Sequence, residues 1–317
     1  MPLLKRIQTI AAKVEGTIGT AETLTASEGV FNAFDIEINA DIELFEREGQ
    51  GSFNYLTGTS GARGGSMTFK TGMEWDGAAH PAWASVLFPA CGWVASGDVY
   101  TPRSEAPGAN VKTVTLAVYQ NGLRKMLAGA VGTFKIVCPS GELTAIEWEF
   151  TGVWQAVADV AILAPTYPTD LPLRFGSAVV TYQAANVIVE NVTLDAGNEI
   201  ILREDPATAA GYVSGLIVSR KPMITFNPEA GLVAADAASD PYGDWLAHTE
   251  GIFSCKIDGP TGANTNGDFT FSAPKAQVMN VQQSERNRLL THDVELVCNK
   301  NAATADEEVS LTFTDAT

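Results

Sequence analysis

Carboxylates are the most abundant chemistry-bearing side chains of this chain, and they come in rows. In FDIEINADIEL, residues 34–44, Asp35, Glu37, Asp41 and Glu43 alternate with Phe34, Ile36, Ile38, Ile42 and Leu44. Glu147 and Glu149 alternate with Ile146, Trp148 and Phe150, and Asp293 and Glu295 with Val294, Leu296 and Cys298. A period of two is that of a β-strand. The apolar members of each row should face a core. The acids should face water, because burying unpaired charge is costly. Carboxylates that work as an acid/base pair need unlike surroundings to separate their pKa values, and rows of similar exposed acids offer none. The histidines, His80, His248 and His292, stand far apart, and neither HExxH nor GxSxG occurs. Asp236, Asp240 and Asp244 share one loop, but their spacing is not that of an EF-hand, and solvated loop acids are the plainer reading. Cys91, Cys138, Cys255 and Cys298 form no CxxC pair, which points to buried thiols in a reducing compartment rather than to zinc or redox chemistry. The expectation is a protein without enzymatic activity, cofactor or metal.

The elements that would carry these rows follow from the rest of the 317 residues. Lys plus Arg number 20 and Asp plus Glu 37, a net charge of −17. That excludes a sequence-independent grip on nucleic acid or on an anionic membrane, both of which need a basic surface. No apolar run is long enough for a membrane helix, and no apolar segment follows Lys5 and Arg6 to make a signal peptide. Residues 1–33 read as an extended arm. Residues 50–66 are glycine-rich and hold Phe53, Tyr55 and Arg63, which predicts a long hairpin loop; they lack the pattern of a phosphate-binding loop. Residues 80–93, HPAWASVLFPACGW, are the best helix candidate, shortened by Pro89. Asn121-Gly122 marks a hairpin turn between strands, and residues 145–154 form another strand.

The second half follows a similar plan. Residues 199–205 echo 41–47, a loop with Gly211, Tyr212 and Gly215 follows, and residues 222–226 read as the return strand. Trp245 takes the short-helix place of Trp83. Strands at 253–257 and 269–272 flank a turn-rich loop, residues 260–268. Strands at 276–282 and 292–298 close the half. Three prolines in residues 163–173 read as a stiff linker. The predicted organisation is therefore mainly β: a domain at 1–162, a Pro-rich linker at 163–173, and a domain at 174–317. Duplication and chance similarity between β-rich segments both remain open at this point.

Lys13-x-Glu15-x-x-x-Gly19-Thr20, the run 125–132 (KMLAGAVG), Gly141-Glu142-Leu143 and Glu149-Phe150-Thr151-Gly152 resemble the major tail tube proteins of long-tailed, siphovirus-type bacteriophages. The resemblance spans most of the chain through diffuse motifs. It implies two β-sandwich, barrel-forming domains, each with a short flanking helix. It implies a virion structural protein, assembled in the host cytoplasm, whose rings stack into a tail tube that conducts DNA. A doubled chain implies trimeric rings with pseudo-six-fold symmetry. Implied partners are further copies of the chain, the tape measure protein and double-stranded DNA in the lumen, and the tail terminator and distal tail proteins. Asp35, Glu37, Asp41, Glu43, Glu147, Glu149, Asp293 and Glu295 would face the lumen, and Phe53, Tyr55 and Arg63 would belong to a ring-stacking loop. Another virion part, such as a head–tail joining or tail-tip protein, and a carbohydrate-binding or carbohydrate-cleaving β-sandwich are the alternatives.

Overall fold

A computed structural model describes residues 3–29, 31–74, 80–258, 267–301 and 306–314. The chain is mainly β, with 57% strand and 6% helix, in large antiparallel sheets. In the first half, β1 (Gln8–Val14), β2 (Phe34–Glu48) and β3 (Tyr55–Gly72) precede helix α1 (Ala84–Ala90). Then come β4 (Trp93–Ser96), β5 (Val99–Pro102), β6 (Val114–Gln120), β7 (Leu123–Pro139), β8 (Ala145–Trp154) and the short β9 (Ala158–Asp159). The second half begins with β10 (Val179–Tyr182), β11 (Ala185–Asn186), β12 (Val189–Asp195), β13 (Asn198–Glu204), β14 (Tyr212–Arg220) and β15 (Met223–Pro228). Helix α2 (Pro241–Ala247), β16 (Glu250–Ile257), β17 (Asp268–Arg286), β18 (Leu289–Cys298) and β19 (Ser310–Thr314) complete it. Most of the predicted loop at residues 260–268 lies outside the described residues.

One continuous antiparallel sheet runs through both halves in the order β2-β3-β8-β7-β12-β15-β18-β17. Its middle junction is the ladder of β7 with β12, from Lys135 opposite Asp195 to Pro139 opposite Asn191. The pairings β1–β6, β6–β7, β7–β8, β3–β8, β2–β3 and β7–β9 recur as β10–β16, β16–β17, β17–β18, β15–β18, β12–β15 and β17–β19. β4 and β5 have no such counterpart, and β5 pairs across the halves with β19.

The core lies on one face of this sheet. The α1 side chain of Phe88 packs 5.0 Å from Phe134 and 5.3 Å from Trp148, with Tyr100 and Phe313 around it. In the second half Phe226 packs against Tyr182 and Phe253. Buried residues from both halves form one cluster. Residues 163–173 do not hang between the halves. Leu173 is buried, its N–H donates to the Met73 carbonyl, and its own carbonyl accepts from Thr144 N. Leu163, with Val160 and Ile162, packs on a smaller cluster around Tyr119 and Met126.

Several expected elements differ from those observed, each for a local reason. The N-terminal stretch is not a free arm: β1 pairs with β6 through seven residues and buries Ile10, Ala11 and Ala12. The predicted loop at 50–66 is mostly strand, since β3 starts at Tyr55. Its glycines allow close packing rather than flexibility. A Cβ at Gly65 would lie 2.8 Å from the Asn39 carbonyl and 2.9 Å from Leu127 and Trp154. The return strand for residues 199–205 is β14, not residues 222–226, of which all but Pro222 belong to β15, the partner of β12.

Of the apolar row on β2, only Ile36 and Ile38 reach the core; Phe34, Ile42 and Leu44 are 53%, 47% and 64% exposed. A register shift beside Asp35, whose φ is +52°, accompanies the outward placing of Phe34. The β8 ladder begins only at Gly64, opposite Asp41 on β2, so the outer part of β2–β3 is a two-stranded ribbon beyond the layered body.

Candidate functional site

The most chemically distinctive surface is the non-core face of β2-β3-β8-β7-β12. Strand alternation puts Phe69, Trp148, Phe134 and Leu194 into the core and leaves their neighbours on the opposite face. Two cross-strand rows result. In the first, Lys70 stands opposite Glu147, Glu147 opposite Lys135, and Lys135 opposite Asp195. Lys70 Nζ lies 2.9 Å from Glu147 and 3.7 Å from Asp35, and Lys135 Nζ lies 3.8 Å from Asp195. The hydrogen bond that Lys70 donates to Glu147 raises the Lys70 pKa above the ordinary lysine value, with the charges of Glu147 and Asp35 adding to it. In the second row, Glu37 stands opposite Thr68, Thr68 opposite Glu149, and Glu149 opposite Thr133. Most of these side chains line one shallow concavity of about 390 Å³.

This face brings together Asp35, Glu147 and Glu149, with Glu37 at its margin. Asp41 and Glu43 lie further out on the ribbon. There they and Glu204 add their charges to the burial that raises the Tyr212 pKa. Asp293 and Glu295 are on β18 in the second half of the same sheet. Glu295 is flanked by Thr225 and Asn280, and Asp293 stands opposite Gln282. The face is acidic but not uniformly so, because Lys70 and Lys135 alternate with the acids of the first row. Sequence pattern missed both lysines and Asp195. Lys70 and Glu147 come from strands far apart in sequence, and the opposition of Lys135 to Asp195 spans the two halves.

Phe53, Tyr55 and Arg63 do not share a loop. Phe53 is at the ribbon tip and fully exposed, Tyr55 opens β3, and Arg63 lies within β3. The Arg63 guanidinium donates to the Ala209 carbonyl at 2.6 Å, and its N–H to Ala210 at 2.9 Å.

The other candidate residues have structural partners. Asp240 caps α2 by accepting from Gly243 N, Asp236 accepts from Ala238 N, and Asp244 accepts from the Tyr182 hydroxyl. Among the described residues no group of three or more His, Cys, Asp or Glu could hold a metal. His80 contacts the Gly97 carbonyl, and His248 ends α2 in a left-handed conformation. All four thiols are buried and free. Burial raises the Cys91 pKa and takes that of Cys298 to about 12, while a contact with Cys138, then burial, raises that of Cys255. No described helix is long and apolar enough to cross a membrane.

Neither family models nor curated proteins match this chain.

Proposed function

We propose that this chain is a virion structural protein that self-assembles into rings, and that the rings stack into the tail tube of a long-tailed phage. The observation that carries the reading is the eight-strand sheet with its internal junction. Within one chain, the inner part of β7 accepts β12 along one edge, directly after the stretch of β7 that pairs with β6. By the matching order of pairings, β17 is the counterpart of β7, and β2 of β12. β17 pairs with β16 only up to Gln277, and among the described residues no strand pairs with that edge beyond it. The outer edge of β2 is likewise unpaired, and Ile36, Glu37, Ile38 and Asn39 border a groove with Leu3, Leu4 and Lys5 on its other side.

Open edges of this length are aggregation hazards in a monomer. Here β2 of one copy can follow β17 of the next as β12 follows β7, a head-to-tail contact that closes into a ring. Three copies then supply 24 strands in six similar sets, which supports a trimer with pseudo-six-fold symmetry and two tail-tube-like domains per chain. The face bearing Asp35, Glu37, Glu147, Glu149, Asp293 and Glu295 becomes the lumen wall. Its net negative charge suits a conduit for DNA, which must pass without being held. Such a wall binds tape measure protein and DNA only transiently and carries no catalysis. The exposed tip with Phe53 faces an adjacent ring, and terminal rings meet the tail terminator and distal tail proteins.

Electron microscopy of concentrated protein tests the reading. Rings with three-fold symmetry, or tubes built from them, are expected. A chain that stays monomeric at high concentration overturns the assembly, and a ring of six chains overturns the stoichiometry.

A further inference from the structure

The junction inside one chain holds more than the β7–β12 ladder. After Gly197 the chain leaves β12, and the β13–β14 hairpin lies against β7, β8 and β3 of the first half. The fit is close. A Cβ at Gly129 of β7 would lie 2.9 Å from Ser214 Cα, one at Gly215 would lie 2.6 Å from Val131, and one at Gly64 of β3 would lie 2.7 Å from Leu202. Asn198 fastens the base by donating to the carbonyls of Cys91 and Gly132 at 2.8 and 2.9 Å.

This hairpin is the second half's version of the outer β2–β3 ribbon. β13 extends β12, and β14 leads into β15, as the outer parts of β2 and β3 extend their inner parts. Gly58 stands as far before the buried Met67 as Gly215 stands before the buried Ile224. The difference is what each one touches. β13–β14 has a seat on its own chain, whereas the ribbon leaves Ile42, Leu44, Phe45, Tyr55 and Leu56 exposed.

The corresponding seat exists on the second half. Met67 and Gly132 both stand opposite Phe150, as Ile224 and Val278 both stand opposite Leu296, so Met279 holds the place of Thr133, whose hydroxyl accepts from Asn198 N at the base of the hairpin. Met279 is an apolar and adaptable side chain that is 40% exposed. The ribbon cannot reach this seat on its own chain, because β2 and β17 are the opposite ends of the eight-strand sheet.

We propose that the outer β2–β3 ribbon docks on β15, β18 and β17 of a second copy of this chain, centred on Met279, as β13–β14 docks on β3, β8 and β7 within one chain. The proposal rests on the self-assembly reading and adds a lateral contact within the ring. Two-stranded ribbons are marginal alone, and this contact supplies the missing layer.

Cysteine pairing tests it, since the four native thiols are buried. Phe45→Cys and Met279→Cys chains, purified separately, mixed and treated with diamide, should give a cross-linked dimer on a non-reducing gel. Neither variant should do so alone. A Leu44→Asp/Phe45→Asp chain should keep the wild-type circular dichroism and melting temperature but form no rings. If wild-type protein forms rings while the mixed variants stay uncross-linked and the Asp variant still assembles, the docking is wrong and the assembly reading stands. Cross-linking of Phe45→Cys with itself would overturn the head-to-tail contact. Wild-type chains that form no rings would remove the reading on which it rests.

Discussion

Glu15 is the residue whose environment says most about how this fold is held. It is 6% exposed, and its two carboxylate oxygens accept four hydrogen bonds. One oxygen takes Gly19 N at 2.9 Å and Thr113 Oγ1 at 2.7 Å; the other takes Thr115 Oγ1 at 2.8 Å and Gly129 N at 2.6 Å. The carboxylate thus ties the N-terminal strand to β6 and to the irregular stretch of β7 that receives the β13–β14 hairpin. Its loss leaves two backbone donors and two hydroxyls without this acceptor in a buried site, where each unsatisfied group costs about 1–3 kcal/mol. Glu15→Ala should therefore destabilise the chain by about 3 kcal/mol or more in urea unfolding. Glu15→Gln, which keeps one acceptor oxygen, should fall between the two. A loss under about 1 kcal/mol for the alanine variant would show that the network contributes little. Only part of it was legible in the sequence: Glu15 and Gly19 form a short pattern, but Thr113 and Thr115 lie roughly a hundred positions away and carry no local signal.

At the scale of elements, alternation was the reliable guide and glycine the misleading one. β8 and its core-facing Ile146, Trp148 and Phe150 follow directly from period two, and the hairpin turn at Asn121-Gly122 from its Asn-Gly pair. Apolar spacing and proline place the helix at 84–90, and correspondence with Trp83 places the one around Trp245. The β3 ribbon was read as a loop because strand glycines look like flexibility when the atoms they admit are out of sight. On β2, alternation gave the acids their exposure but could not tell that β8 ends before Ile42 and Leu44, so no core lies beneath them. The candidate face was legible only by half, since ladders such as Lys135 with Asp195 depend on which strands become neighbours. Gly197 shows what the conformation of one residue decides. Its φ is +62°, and a Cβ there would lie 2.1 Å from the Lys221 carbonyl. Gly197→Ala must move that backbone or abandon the turn between β12 and β13. Strain of this kind costs about 1–3 kcal/mol, so the variant should unfold at lower denaturant and expose the β13–β14 hairpin to proteolysis. Equal protease resistance to wild type would mean that the hairpin's seat does not depend on this turn.

At the scale of the whole molecule, the distribution of charge carries the functional argument. The chain has a net charge of −17, yet the first cross-strand row on the candidate face is nearly balanced by Lys70 and Lys135. Lys70 links β2, β3 and β8 and Lys135 links β7 with β12, without making the face neutral. Exposed ion pairs of this kind contribute about 0–1 kcal/mol each, so the row serves register more than stability. The uncompensated charge is in the second row, Glu37 with Glu149, and in Asp293 with Glu295 on the other half. In a ring of three copies these positions repeat around the wall, and screening over about 8–10 Å at physiological salt confines their repulsion to DNA that approaches it. Lysine at Glu37, Glu149, Asp293 and Glu295 together should leave the fold intact, because all four lie on the non-core face and Lys70 keeps Asp35 and Glu147. Tubes should still assemble, but they should retain double-stranded DNA at low salt and release it as salt rises, the signature of counterion-linked phosphate binding. A charge-reversed tube that holds no more DNA than wild type across that salt range would place these carboxylates away from the channel.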